Sequence, residues 1–374
     1  MQSAVEFIES LSPWPTDGFG TERMRELLRE LGDPQRAFPA VHVVGTNGKS
    51  TTTRMIEALL AGAGLGVGSY LSPHVRGWSE RIRVDGSEAD FERAVARVRE
   101  ACERVGATQF ESLTAAALSE FAAQGVDAAV VEAGLGGRHD ATNVLDSRVV
   151  VLTNVALDHT EVLGETREEI AAEKLAVVRR GATVVLGEPE WEPLARSEGA
   201  ESVVVAGRSS LALAVAAAES FLGRTVDPHL AEAVALPGRL EQRGEAPLEI
   251  WDGAHNIAGI GWLLARLPSR RFVIVSSILA DKQPEQMLRA LSVLGDTLVA
   301  TESTSGRAVP AAELAAIAAP LFATVEAVDD PAAATARARE LAGAEGAVLV
   351  TGSLYLLADL SKEEAPRWRT SASR

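Results

Sequence analysis

Cysteine is all but missing: Cys102 is the single one in 374 residues, so no disulfide can form within the chain. Positive charge is also in deficit. The 36 basic and 52 acidic side chains leave a net charge of −16, which argues against a nucleic-acid backbone or an anionic membrane surface as the main partner. An anionic ligand must therefore be gripped by a local site. No stretch approaches the roughly 18 to 20 uninterrupted apolar residues of a membrane span; even Leu211 to Leu222 is broken by Glu219 and Ser220. Glu6 and Glu9 stand where a secretory leader would carry positive charge. These deficits predict a reducing cytoplasm as the setting. What is present is 47% hydrophobic residues in a chain longer than one core usually organises, which predicts two domains.

Lysine and asparagine are scarce as well. The lysines are Lys49, Lys174, Lys282 and Lys362, and the asparagines are Asn47, Asn143, Asn154 and Asn256. In a chain this rich in arginine and alanine, a rare residue inside a glycine-rich or acidic cluster marks a position where the common substitute would not serve.

Short β-rich runs alternate with helical ones, the pattern of a mostly parallel sheet flanked by helices. Met24, Leu27, Leu28 and Leu31 recur at helical spacing, and Ala40 to Val44 reads as a buried strand followed by a helix over Ser50 to Ala61. Further strands are expected over 128–131, 149–152 and 184–186, and further helices over 113–123, 168–178 and 210–222. Residues 187–207 are weakly patterned and expected to be irregular. Pro237-Gly238 punctuates the chain, and a second alternating series follows, with strands over 248–251, 272–275, 297–300 and 348–351 and a helix from Ile257. This predicts an α/β N-terminal domain over 1–240 and a smaller α/β domain over 241–374.

The strand ending at Val44 runs into Gly45-Thr46-Asn47-Gly48-Lys49-Ser50-Thr51 and then a helix, the arrangement that aims backbone N–H groups at a phosphate. Lys49 can reach the terminal phosphates, and a hydroxyl from Ser50 or Thr51 can ligate Mg²⁺. The bland alternative is a tight turn with an incidental lysine, since the glycine that a strict Walker loop places five residues before Gly48 is Val43. Three more clusters fall at expected strand ends, where open α/β sheets place ligands. They are Ser72-Pro73-His74 with Glu80-Arg81-Ile82, Glu132 to Asn143 with its glycine-rich middle, and Asp158-His159 followed by Glu173-Lys174. A carboxylate entering a glycine-rich loop suits a hard cation, and a buried lysine shifts its pKa readily. The second domain offers Arg239, Asp252 to Asn256, Asp281-Lys282 and Thr351-Gly352-Ser353. An arginine there suits a bound phosphate, while the bland reading is a set of caps and turns.

Taken in order, these clusters resemble the folylpolyglutamate synthases and dihydrofolate synthases of the Mur ligase superfamily. Gly45 to Thr51 is similar to the family's GTNGKGS loop, Ser72-Pro73-His74 and Glu80-Arg81-Ile82 to its SPH and ERI elements, and Glu132 to Asn143 to its E-x-GLGGR-x-DATN signature. The resemblance implies a P-loop ATPase domain of Mur type followed by a Rossmann-like C-terminal domain. It also implies ATP and Mg²⁺ as cofactors. Ser72, Glu132 and His159 would be the magnesium ligands, and Lys174 a carbamylated lysine holding a second metal. By the same resemblance Arg239 and Asp252 would contact ATP and His255 the incoming amino acid. Phe19, Gly20 and Thr21, together with Thr108, Gln109, Phe110 and Glu111, fall where dihydropteroate-type acceptors lie. The activity implied is ligation of L-glutamate to dihydropteroate or a folate through an acyl phosphate, by a monomer that closes its two domains.

Three departures define the rivals. The loop reads Lys-Ser-Thr where the family has Lys-Gly-Ser, as in peptidoglycan ligases, so an amino-acid ligase acting on a peptidoglycan precursor is one alternative. The family's asparagine near Ser210 to Leu213 is missing, and the segment after Lys174 is short. A non-catalytic ATP-binding homologue is the other alternative.

Overall fold

The computed structural model describes residues 2–15 and 18–364. The chain divides into two compact units, one formed by Trp78–Val234 with the chain up to Pro73, the other by His74–Gly77 with the chain from Ala235 onward.

The first unit is built on an eight-stranded sheet. Its strands are β1 (Ala40–Val44), β2 (Val67–Tyr70), β3 (Ile82–Val84), β4 (Ser87–Glu88), β5 (Ala128–Glu132), β6 (Ser147–Leu152), β7 (Thr183–Leu186) and β8 (Ser202–Val205), in the spatial order β4-β3-β2-β5-β1-β6-β7-β8. Six strands from β2 to β8 run parallel, and β3 and β4 add an antiparallel edge. Side-chain alternation separates two cores. Ala129 and Val131 face the helices Glu22–Glu30 and Gln109–Gln124, while Ala128 and Val130 face Lys49–Gly62 and Ser210–Leu222. Both faces are covered, which is why these strands read as continuous apolar runs.

Strand β1 lies between β5 and β6, with Val43 opposite Glu132 and Val44 opposite Leu152. The carboxyl ends of three central strands therefore open beside one another, and their loops carry the residues singled out by composition. This is the topological crevice of an open α/β sheet.

The second unit has a six-stranded sheet ordered β13-β12-β11-β14-β10-β9, from β9 (Glu241–Glu245), β10 (Leu248–Asp252), β11 (Val273–Ser276), β12 (Thr297–Ala300), β13 (Thr324–Ala327) and β14 (Ala347–Thr351). Five strands are parallel and β9 is antiparallel to β10. Chain order jumps across β14 between β10 and β11, which makes the end of β14 the crevice of this sheet.

Several local expectations need correction. Residues 187–207 are not irregular: they hold a 3-10 turn (Pro189–Trp191), a helix (Glu192–Ser197) and the edge strand β8. Strand β8 escapes a periodicity reading because it is largely exposed and has no buried alternation. Strand β2 is hidden by Gly68, whose missing side chain makes room for the Phe121 ring. The helix expected to run to Val178 stops at Leu175.

Candidate active site

The phosphate-type loop is held by the strand beside it. Gly45 sits at φ 147°, and a Cβ there would run into the Thr153 side chain and lie 3.2 Å from its backbone nitrogen. Glycine is thus required at the point of closest approach. Thr46 N–H donates to Asn154 O at 3.0 Å. Asn47 N–H donates to Asn154 Oδ1 at 3.1 Å, and Asn154 Nδ2 donates back to Asn47 O at 2.9 Å. Thr153 Oγ1 adds a bond to Asn47 O at 2.8 Å. The sequence marks Asn154 only by rarity and assigns it no role, and that scarcity of asparagine is the signal that points to it. The side-chain amide supplies donor and acceptor together, which makes this two-way clasp possible.

Gly48 at φ 79° caps the helix Lys49–Gly62, so the first helical N–H groups face the loop opening. Two lysines are anchored on the loop: Lys49 Nζ donates to Thr46 O at 3.2 Å and Lys174 Nζ to Gly45 O at 3.0 Å. Lys174 arrives from the helix Arg167–Leu175 and is buried. Burial, reinforced by the Lys49 charge, lowers its ammonium to about 7, against the pull of Asp158, Asp140 and Glu173. A substantial neutral fraction at physiological pH makes it nucleophilic.

Glu132, at the end of β5, joins three elements. Its Oε1 accepts from Ser50 Oγ at 3.0 Å and its Oε2 from Ser72 N–H at 3.2 Å. Of the two hydroxyls considered for the metal, Ser50 is thus the one at the carboxylate, and Thr51 lies one residue further along the helix. Oxygen donors from Ser50, Ser72 and Glu132 at a phosphate loop fit a hard divalent cation such as Mg²⁺. His159 adopts a left-handed conformation at φ 51°, capping the helix Thr160–Leu163, with its imidazole 3.9 Å from Asp158 and 3.8 Å from Glu161.

The glycine-rich loop after β5 packs directly on the Lys174 helix. A Cβ at Gly137 would strike the Glu173 and Lys174 carbonyls, and Arg138 N–H donates to Glu173 O at 2.9 Å. Asp140 is buried within the loop, accepting from Leu135 N–H at 2.7 Å and Thr142 N–H at 3.0 Å. Thr142 Oγ1 continues the chain to His42 Nε2 at 2.8 Å. Burial, with the Arg179 charge adding to it, lowers the His42 imidazole from 6.5 to about 3. The unfolded chain thus takes up a proton below pH 6.5 that the folded chain refuses, and stability falls as pH drops from 6.5 toward 3. In His42→Asn, which keeps a polar group for Thr142, that slope is gone. The urea unfolding free energy of the variant relative to the parent is expected to improve by about 2 kcal/mol between about pH 7 and pH 5. A difference independent of pH would mean that His42 titrates normally.

The residues expected at the acceptor separate into two kinds. Thr108 and Glu111 form the capping box of the helix Gln109–Gln124, and Glu111 also accepts from Arg23 Nε at 2.8 Å. Their polar atoms are engaged in holding the helix start. Phe110 in the same turn lays its ring over Gly134, where a Cβ would lie 2.5 Å from it, and stands 6.1 Å from the Tyr70 ring. Phe19 is half-exposed, Gly20 follows it, and Thr21 is buried as the cap of Glu22–Glu30.

In the second unit Asp252 closes β10 and is buried, accepting from Leu240 N–H and Ala254 N–H at 2.9 Å each. Burial raises its pKa, opposed by these bonds and by the Arg239 charge. Arg239 Nη1 donates to Gly238 O at 3.0 Å, and Gly253 N–H donates to the same carbonyl at 2.9 Å. His255 Nδ1 lies 2.8 Å from Gly253 O, and Asn256 caps the helix Ile257–Leu264. Arg239, Asp252 and His255 are thereby gathered at the carboxyl end of β10.

Residues 43–221 match the Mur ligase middle domain, and residues 238–354 match the Mur ligase, glutamate ligase domain. A Bacillus subtilis (strain 168) protein named dihydrofolate synthase/folylpolyglutamate synthase is 31% identical, with 92% of this chain and 94% of that protein aligned. Among solved structures, E. coli FolC in complex with DHPP and ADP superposes with a TM-score of 0.87 at 29% identity, covering 96% of this chain and 97% of that one. A bifunctional folylpolyglutamate synthase/dihydrofolate synthase with Mn, AMPPNP and L-glutamate bound superposes with a TM-score of 0.85 at 30% identity, covering 96% of each chain.

Proposed function

Because the chain belongs to the dihydrofolate synthase/folylpolyglutamate synthase family of Mur ligases, we propose that it joins L-glutamate to the carboxylate of dihydropteroate, a folate, or both, at the expense of ATP. The observation that carries this reading is the convergence of Lys49, Lys174 and Glu132 on one glycine loop. A carboxylate can hold the magnesium of a merely bound nucleotide, but binding alone has no use for a second, buried lysine beside the first.

A carboxylate is a poor acyl donor until it carries a leaving group. Its attack on the γ-phosphate of ATP gives an acyl phosphate and ADP, and the glutamate amine then displaces phosphate. Lys49 and the N–H groups of the loop neutralise charge on the phosphoryl group in transit. Glu132, Ser50 and Ser72, with His159, would hold the magnesium, which when bound screens the nucleotide's phosphate charge. We assign Lys174 as a site of carbamylation, since a neutral amine can add CO₂ and become a carboxylate for a second metal. Arg239 and Asp252 are assigned to the nucleotide and His255 to the incoming amino acid. On this reading 1–240 is the ATP-binding domain and 241–374 the glutamate-ligase domain, in a monomer of the cytoplasm. Among the described residues no helix is long and apolar enough to cross a membrane.

Purified protein given ATP, Mg²⁺, L-glutamate and either dihydropteroate or a reduced folate is expected to release ADP in step with acceptor consumed. ADP release dependent on neither pteridine acceptor would overturn the assignment.

A further inference from the structure

One turn along the helix that follows the phosphate loop, charged side chains are buried together. Ser50, Arg54 and Glu57 are all buried and lie on one face of the helix Lys49–Gly62, at helical spacing. Arg54 Nη1 donates to Glu57 Oε2 at 2.9 Å and to Ser69 Oγ at 2.8 Å, and its Nη2 donates to Glu80 O at 3.0 Å. Ser69 Oγ donates in turn to Glu57 Oε2 at 2.9 Å, and Arg83 Nε donates to Glu57 Oε1 at 3.3 Å. Apolar side chains of similar volume commonly fill such a space with no loss of stability. What they cannot do is grip polar atoms of two other chain segments at once.

Those two segments form the stem on which Ser72 stands. Ser69 belongs to β2, three residues before Ser72, and Glu80 lies in the 3-10 turn Trp78–Arg81 that leads back into β3. Antiparallel pairing puts Ser69 opposite Arg83 and Tyr70 opposite Ile82, and Leu71 N–H donates to Arg81 O at 2.9 Å. The chain leaves the first unit after Pro73 and re-enters it at Trp78, so the stem is fixed from its base, where the Arg54 guanidinium reaches both sides. A single helix face thus bears Ser50, which meets Glu132, and one turn later Arg54, which holds the strand that brings Ser72 to Glu132.

We propose that Arg54 is a positioning residue that sets Ser72 against Ser50 and Glu132, and thereby sets the affinity for the magnesium that accompanies the nucleotide. The proposal rests on the cation assignment given above and adds to it a residue acting through the Ser72 stem. Magnesium demands near-octahedral placement of its oxygen ligands, so a small shift of the stem costs affinity. The phosphate loop is clasped by Asn154 from β6, on the other side of β1 from the stem. Nucleotide held without magnesium should therefore not register the change.

The test compares the full-length parent with Arg54→Lys and Glu57→Gln by calorimetric titration of AMPPNP, with Mg²⁺ or with EDTA in its place, alongside urea unfolding. Lysine keeps a charge beside Glu57 but has no planar fork to span Ser69 and Glu80. In Glu57→Gln the amide oxygen can still accept from Arg54 and Ser69 while its Nε2 cannot serve Arg83, so charge is lost and the clamp is kept. The factor by which Mg²⁺ tightens AMPPNP is expected to fall about tenfold in Arg54→Lys, with the affinity in EDTA unchanged. In Glu57→Gln that factor should stay within about threefold of the parent even where the variant unfolds at lower urea. The paired variant Arg54→Met with Glu57→Leu removes both charges together; it should lose the same factor as Arg54→Lys and serves if the lysine variant does not fold. A Mg²⁺ factor unaltered by the loss of Arg54, or one that falls equally in Glu57→Gln in step with stability, overturns the proposal. A parent whose AMPPNP affinity ignores Mg²⁺ overturns the cation assignment itself and the proposal with it, a result visible before any variant is made.

Discussion

Lys174→Ala is expected to cut turnover by about a hundredfold or more, with little loss of fold. Its amine is buried, bonded to Gly45 O at 3.0 Å, and lowered to about 7 chiefly by burial. Keeping a lysine where its charge is disfavoured works against stability, so Lys174→Ala and the similarly sized Lys174→Met should unfold in urea within about 1 kcal/mol of the parent, or later. Loss of activity with retained stability points to chemistry; variants within threefold of parental kcat would remove the lysine from the mechanism. The assigned modification has its own readout. Intact mass measured after equilibration with bicarbonate should show the addition of one CO₂ to the parent and none to either variant.

Glu132→Gln is the second large effect. The amide oxygen can still accept from Ser72 N–H, and its Nε2 can donate to the Ser50 hydroxyl oxygen in place of the bond the carboxylate accepted, so the junction of the three elements survives while the negative charge is lost. A hard cation bound by oxygen donors depends on that charge. The half-saturating Mg²⁺ concentration should rise by about 10-fold to 100-fold, and kcat at low Mg²⁺ should fall by about two orders of magnitude. Partial recovery at high Mg²⁺ is expected. An unchanged Mg²⁺ dependence would move the cation away from Glu132.

Much of this site was legible before any coordinates. Gly45, Gly48 and Lys49 carry a local mechanism, a strand feeding a helix through residues that tolerate positive φ, and such a pattern survives in one dimension. Rarity helped with Lys174 and Asn154, although nothing in the sequence said that Asn154 would clasp Asn47 across from a neighbouring strand. Thr108 and Glu111, expected at the acceptor by resemblance, carry a second signal. Their threonine-to-glutamate spacing of three is a capping signature in itself, and the capping box is where the structure places them. The strands that escaped, β2, β3, β4, β8, β9 and β13, are short; β2 is buried but interrupted by Gly68, and the others are largely part-exposed, so the burial alternation that periodicity detects was not there to read.

By itself the sequence determined composition, the alternating α/β pattern and the identity of each rare side chain, because these depend on local spacing and on counting. The tertiary structure decided which distant residues share one crevice. Inserting β5 beside β1 sets Glu132 opposite Val43, and the packing of Gly137 on the following helix carries Lys174 to Gly45. Strand order is a property of how buried faces pair, and no periodicity along the chain encodes which strand will lie next to which.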